Sequence, residues 1–168
     1  MASSIGRPLE FDPDTALEAA MGLFWVKGYE HTSMQDLLAA MNLSKSSLYQ
    51  AFGGKQQLFR QCVARYAEQF AARLRLGLRE APSGHRFIES FLYSVLDEVS
   101  GTEAPRGCLV MNTASEFAQR EPVIAEDVAH SIERFRAALQ AAVERAQREG
   151  DIAPTGTRGP WRTIWSAV

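Results

Sequence analysis

Lys45, Ser46, Tyr49 and Gln50 fall within the segment LSKSSLYQAF, Leu43 to Phe52. On a helix they form two i,i+4 pairs, Lys45 with Tyr49 and Ser46 with Gln50, so all four share one side. Lys45, Ser46 and Gln50 can donate hydrogen bonds. Gln pairs with an adenine edge, Lys with guanine or phosphate, and Ser or Tyr with phosphate. Leu48 and Phe52, four apart, supply an apolar anchor on the other side. Ser is a middling helix former, because its hydroxyl competes for backbone hydrogen bonds. Packing of Leu48 and Phe52 must therefore hold the segment down.

The elements that position this face are short. Ser44 caps a helix of about Lys45 to Phe52, and Gly53 and Gly54 end it. Before it, T-S-M-Q (Thr32 to Gln35) fits a capping box in which Gln35 reaches back to the Thr32 N–H. That helix carries Met34, Leu37, Leu38 and Met41 and stops near Asn42, a residue that tolerates the left-handed turn. A still earlier helix, about Pro13 to Lys27, takes Asp12 as its cap and ends at Gly28. Leu17, Ala20, Met21, Phe24 and Trp25 form its apolar stripe. Short helix, four-residue turn and short polar-faced helix make a helix-turn-helix, whose second helix enters a DNA major groove.

Local charge points the same way. From Leu37 to Ala67 there are four cations, Lys45, Lys55, Arg60 and Arg65, and no Asp or Glu. The helix starts at Thr32–Ser33 and Ser44–Ser46 would aim N–H groups at phosphates. Spacing alone leaves a second class open, an all-α protein-interaction module without DNA affinity.

The remainder is helical at the same three-and-four spacing. A long helix, about Lys55 to Arg79, carries Phe59, Cys62, Val63, Tyr66, Phe70, Leu74 and Leu78. A fifth, about His85 to Ser100, follows the turn Pro82-Ser83-Gly84 and carries Phe87, Ile88, Phe91, Leu92, Val95, Leu96 and Val99. A sixth covers about Cys108 to Gln119. A seventh begins at Pro122 and ends before Gly150, with the stripe Ile124, Val128, Ile132, Phe135, Leu139, Val143 and Ala146. The expected fold is all-α: an N-terminal three-helix unit with the helix-turn-helix over residues 1–54, joined by the long helix to an antiparallel bundle of longer helices over 55–168.

Bulk properties exclude several classes. With 46% hydrophobic and 23% charged residues the chain is globular, not disordered. The net charge of −2 means that DNA affinity would have to be local. Two distant cysteines give neither a disulfide framework nor zinc spacing, which suits a reducing cytoplasm. MASSIGRPLEF lacks the apolar core of a signal peptide, and no apolar run approaches the roughly 20 residues of a membrane span. His31, His85 and His130 are scattered, so no metal site is expected. No catalytic order of residues stands out, and no cofactor is implied.

The stretch Gly6 to Phe59, with G-Y-E-x-T-S-M, L-S-K-S-S-L-Y-x-x-F and the lysine that follows, strongly resembles the DNA-binding domain of the TetR family of bacterial transcriptional repressors. The resemblance implies phosphate contacts at Thr32 and Ser33. It implies recognition-helix contacts at Lys45, Ser46, Tyr49 and Gln50, a phosphate-binding hydroxyl at Ser47, and a backbone-holding lysine at Lys55. Gly6-Arg7-Pro8 is similar to the N-terminal arm that some members lay near the minor groove. The implied partners are a palindromic double-stranded operator, a second copy of the chain and an unknown small-molecule effector.

PRGCLVMNTASEFA (Pro105 to Ala118) resembles a subgroup with a Gly-Cys-Leu start to the sixth helix. The implied effector lining is Tyr66, Phe70, Phe91, Tyr93, Cys108, Met111, Asn112 and Phe117; each apolar member has core packing as its alternative. Cys108 sits at a helix start beside Arg106, where a thiolate would be stabilised. The alternative is an inert small hydrophobe. Cys62 reads as packing.

The tail departs from the pattern. In TGTRGPWRTIWSAV, Gly156, Gly159 and Pro160 interrupt any helix, and Trp161 and Trp165 match no stripe. With GC-rich codons, one inserted base near residue 157 permits a reading like GTPRALADYLVSA, helical and apolar at proper spacing. The tail is therefore expected to be truncated or frame-shifted after about residue 156, which would impair dimerisation.

Overall fold

The computed structural model describes residues 11–100, 106–117 and 121–153. Arg7 and the tail beyond residue 153 lie outside the described residues. Among those described there are seven helices and no strand: α1 (Pro13–Lys27), α2 (Met34–Met41), α3 (Lys45–Phe52), α4 (Lys55–Glu80), α5 (Gly84–Ser100), α6 (Leu109–Phe117) and α7 (Pro122–Glu149). No described helix is long and apolar enough to cross a membrane.

Local chemistry sets the boundaries. The Asp12 carboxylate accepts from the Asp14 and Thr15 N–H groups, with Pro13 first in α1. Asn42 closes α2 in the left-handed region at φ 53° and ψ 46°, so the turn into α3 is residues 42–44, one shorter than expected. Gly53 closes α3 at φ 78°. The two compact units draw their described residues from Met1–Phe70 with Pro105–Arg134, and from Ala71–Ala104 with Phe135–Val168.

The first unit has an aromatic centre. Phe59 of α4 meets Phe24 of α1 at 5.0 Å, Tyr29 at 5.0 Å and Phe117 of α6 at 5.6 Å between ring centroids. Leu37, Leu48, Leu58 and Ile124 are fully buried in the same unit. Arg60 grips Asp127 of α7 through two nitrogens, at 2.5 and 3.2 Å. Burying Leu48 and Phe52 stabilises α3 by roughly 1.5–3 kcal/mol each. That exceeds the few tenths of a kcal/mol by which each serine disfavours helix, so packing decides.

In the second unit, α7 caps two other helices with one i,i+4 pair. Arg145 donates to the carbonyls of Leu78 (2.6 Å), Ala81 and Pro82 (both 3.1 Å) at the end of α4. Glu149 accepts from the Gly84 N–H at the start of α5 (2.7 Å) and from Arg145 Nε (2.7 Å). Each charge meets the helix end whose dipole it complements. The Gly84 N–H, then Arg145, holds the Glu149 carboxyl below the usual carboxylate range.

Two expected stripes shift. The buried side of α7 runs through Ile124, Val128, Ser131, Ala138, Ala142 and Ala146, while Ile132 is exposed and Phe135, Leu139 and Val143 are half-buried. At Ala142 and Ala146 small residues win because Gly84 crosses α7 too closely for larger ones. A Cβ at Gly84 would lie 2.4 Å from the Ala146 nitrogen and 2.6 Å from the Ala142 oxygen. On α5, Phe87 is buried and Phe91 half-buried, but Leu92, Val95 and Leu96 face outward.

Candidate nucleic-acid interface

The reading face expected on α3 is present as a surface. Lys45, Ser46, Tyr49 and Gln50 are exposed, Ser47 is half-buried, and Leu48 and Phe52 are buried. The Ser44 hydroxyl caps the helix by accepting from the Ser47 N–H at 3.1 Å. It also lies 2.9 Å from the Ser46 hydroxyl and 2.8 Å from that of Ser47. The serines thus form one linked hydroxyl cluster at the start of α3, where no acid follows in the first turn. Uncovered N–H groups and dipole there favour an anion.

Tyr49 lies along the backbone at Gly54. A Cβ there would come within 3.2 Å of Tyr49 Cε1, and Gly54 has φ +114°. Only glycine suits both the conformation and the ring. Lys55 follows, with Nζ 4.2 Å from the centroid of the Tyr29 ring, a cation–π contact that places its ammonium.

The start of α2 differs from the expectation. The capping box is Ser33 with Asp36, not Thr32 with Gln35. Ser33 N–H donates to Asp36 Oδ2 at 3.0 Å, and Asp36 N–H donates to Ser33 Oγ at 3.1 Å. The Ser33 N–H, then its hydroxyl, then Lys27, pulls the Asp36 carboxyl down to about 2. This carboxylate already occupies the anion position of α2, so the phosphate attraction expected at both helix starts concentrates on α3. Thr32 is fully buried, and its hydroxyl donates to the Gly28 carbonyl at 2.6 Å. Its side chain shapes the turn and presents nothing to a phosphate. Ser33 stays exposed.

The four cations also divide. Arg60 is held by Asp127, and Arg65 by Glu18 and Asp14, each at 3.3 Å. Lys45 makes no ion pair among the described residues. The positive potential around α3 therefore rests on Lys45 and Lys55.

Of the expected effector residues in the first unit, Tyr66 is buried, stacked on Phe70 at 6.0 Å and edge-on to Trp25 at 4.9 Å. Trp25, expected in the apolar stripe of α1, donates its indole N–H to the Gly107 carbonyl at 2.9 Å and lies 4.6 Å below the Arg106 guanidinium. Cys108 is half-buried one residue before α6, and its carbonyl accepts from the Asn112 N–H at 2.9 Å. The Asn112 amide donates to the Arg106 carbonyl at 2.9 Å. Met111 is exposed. Phe117 is core beside Tyr29 and Phe59, and also borders a cavity of about 220 Å³ with Thr113, Ala114, Ala125 and Val128. None of the last four was expected in the effector lining; Val128 was expected only in the apolar stripe of α7. In the second unit, Phe91 stacks on Phe87 at 6.4 Å, and Tyr93 is exposed beside Arg86 and Glu89. Among the described residues no cluster of His, Cys, Asp or Glu could hold a metal ion.

Residues 16–62 match the model described as bacterial regulatory proteins, tetR family, and residues 84–157 match one described as tetracyclin repressor-like, C-terminal domain. The chain is similar to the HTH-type transcriptional repressor ComR of Escherichia coli K12, 32% identical over 152 residues, covering 90% of this chain and 72% of that protein. It is 28% identical over 148 residues to the uncharacterized HTH-type transcriptional regulator YezE of Bacillus subtilis, covering 88% of this chain and 76% of that one. Its backbone is similar to a cysteine mutant of the TetR family transcriptional regulator CifR complexed with a 26bp double-strand operator DNA. That likeness has a TM-score of 0.75 and 34% identity, covering 90% of this chain and 79% of that one.

Proposed function

Since the chain belongs to the TetR family of bacterial regulatory proteins and is a DNA-binding transcriptional regulator, we propose that it represses transcription as a homodimer on a palindromic operator and is released by a small or thiol-reactive effector. Residues 1–54 carry the DNA contacts, and 55–168 carry effector binding and dimerisation. Lys45, Ser46, Tyr49 and Gln50 read the major groove. Ser47 and Lys55 hold phosphates, exposed Ser33 makes a weaker contact beside the Asp36 carboxylate, and Arg7 belongs to an arm beside the minor groove. The observation that carries this reading is the exposed donor face of α3, backed by buried Leu48 and Phe52. ComR is a repressor by its name, and CifR is complexed with operator DNA.

Release is a population shift. An effector that prefers a state in which the reading heads no longer fit two half-sites one helical turn apart empties the operator. The region at Trp25, Tyr66, Phe70 and Cys108 is the better-supported place for it, because polar and aromatic groups converge there. The C-terminal match ends at residue 157, which supports a changed reading frame in the tail; resequencing the gene tests that.

The test of function is a gel shift with a duplex from the chain's own upstream promoter. Wild type should bind in a salt-sensitive way, and Lys45→Ala with Tyr49→Ala should abolish the shift. Binding that ignores both substitutions would favour a protein-interaction module instead.

A further inference from the structure

Glu116, in the last turn of α6, makes a contact that the DNA-binding reading does not require. Its Oε2 accepts from the Tyr29 N–H at 3.1 Å and its Oε1 from the Glu30 N–H at 2.9 Å. One carboxylate thus holds two successive backbone donors from 86 and 87 residues away. Charge-assisted bonds of this kind are roughly twice as strong as neutral ones. Gly28 permits the approach, for a Cβ at that position (φ +75°) would stand 3.3 Å from Glu116 Oε2.

The segment so held leads into the reading head. On its carbonyl side, the Thr32 hydroxyl and N–H bond Gly28 and Tyr29, at 2.6 and 3.2 Å. The next residue, Ser33, is the cap of α2. The Tyr29 ring is fixed between Phe59, 5.0 Å away, and Phe117, 5.3 Å away, the latter the neighbour of Glu116. The Lys55 ammonium then lies 4.2 Å from the centroid of that ring. A continuous physical path runs from α6 through Glu116, the Tyr29 backbone and the Tyr29 ring to Lys55.

We propose that Glu116 is a positioning residue for DNA binding: it ties the end of α6 to the Tyr29 ring that sets the phosphate-facing Lys55. A shift of the last turn of α6 by about 1 Å stretches both bonds past hydrogen-bonding distance. Lys55 then loses its platform while Lys45, Ser46 and Gln50 keep theirs. This inference rests on the DNA-binding reading above and adds to it a specific link between α6 and one cation.

A double-mutant cycle on the full chain tests it, with the same promoter duplex titrated at 50 and 200 mM salt. The Glu116→Gln side chain keeps the size but has only one acceptor oxygen and no charge. It should weaken binding about tenfold at low salt and lower the magnitude of the salt slope by up to about 1.8, one phosphate contact on each half-site. Lys55→Ala should do the same, and the double variant should be no weaker than Lys55→Ala alone, because both changes remove one contact. Tyr29→Leu, which keeps the two backbone donors and removes the ring, should reproduce the loss and its non-additivity. A purely structural role would make the Glu116 and Lys55 losses add and leave the slope unchanged, and that result overturns the proposal. So does unaltered affinity in Glu116→Gln. If Glu116→Gln does not fold, Tyr29→Leu decides by the same two criteria. Loss of binding in the Lys45/Tyr49 variant with none in Glu116→Gln sinks this inference alone. No promoter binding by wild type sinks the functional reading beneath it as well.

Discussion

Gly84→Ala should destabilise the chain, and the distances say by how much. The new Cβ would meet the Ala146 nitrogen at 2.4 Å, the Ala142 oxygen at 2.6 Å and the Ala146 Cα at 3.0 Å. Ordinary contact begins near 3.4 Å, so the two helices must part by about 1 Å. All three atoms belong to the backbone of α7, which cannot turn aside as a side-chain tip would. Parting also lengthens the 2.7 Å bond from the Gly84 N–H to Glu149 and loosens Ala142 and Ala146, both fully buried. Overpacking a close contact costs about 1–3 kcal/mol, and the weakened Glu149 bond adds to that loss. At about 2–4 °C per kcal/mol for a chain of this size, the melting temperature should fall roughly 2–12 °C. The control is Gly22→Ala in mid-α1, where a Cβ meets nothing within 4 Å. There the substitution should stabilise by about 0.5–1 kcal/mol, since alanine is the better helix former. Both are read by far-UV circular dichroism melts at one protein concentration, because dimerisation makes melting concentration-dependent. Equal melting temperatures for Gly84→Ala and wild type would refute the close crossing. A drop in Gly22→Ala would refute the open space on α1.

Two further predictions concern titration and reactivity. The Asp36 carboxyl is lowered to about 2 in the folded chain, from 3.8. Its contribution is therefore complete above about pH 4 and fades as the pH falls toward 2. Asp36→Asn should be less stable than wild type at pH 6 in urea melts, with the gap closing by pH 2; a gap independent of pH would contradict the capping box. At Cys62, burial pushes the thiol far above its usual range, so little thiolate forms there. Half-buried Cys108 is thus the site at which a thiol reagent should act. N-ethylmaleimide should release wild type from the promoter duplex and spare Cys108→Ser, whereas equal release from both would remove Cys108 as a sensor.

What could be read from the sequence tracks what is encoded locally. Ser44, Leu48, Phe52 and Gly53 sit within one short segment, and cap, anchor and stop all lie where their spacing puts them. The cap of α2 slipped by one residue because Thr32 and Ser33 are both good caps; burial of Thr32 against the Gly28 carbonyl decides between them. On α7, Ile124, Val128 and Ala146 are buried as their spacing suggests, yet Ser131, Ala138 and Ala142 are buried in place of Ile132, Phe135, Leu139 and Val143. A hydrophobicity pattern cannot register how closely another backbone approaches. The Glu116 bonds to Tyr29 and Glu30 were out of reach, since nothing near either end announces a carboxylate meeting a turn across the chain. The cavity behind Phe117 was missed for the same reason, its lining being Thr, Ala and Val.

Trp25 gives the molecule a built-in optical gauge. Its indole N–H is committed to the Gly107 carbonyl and its ring lies beneath the Arg106 guanidinium, so its excited state senses the two residues just ahead of Cys108. The ring itself belongs to α1, a helix of the reading head. With Trp161 and Trp165 changed to Phe, the emission of one indole would follow what happens at the start of α6, in the unlabelled protein and in real time.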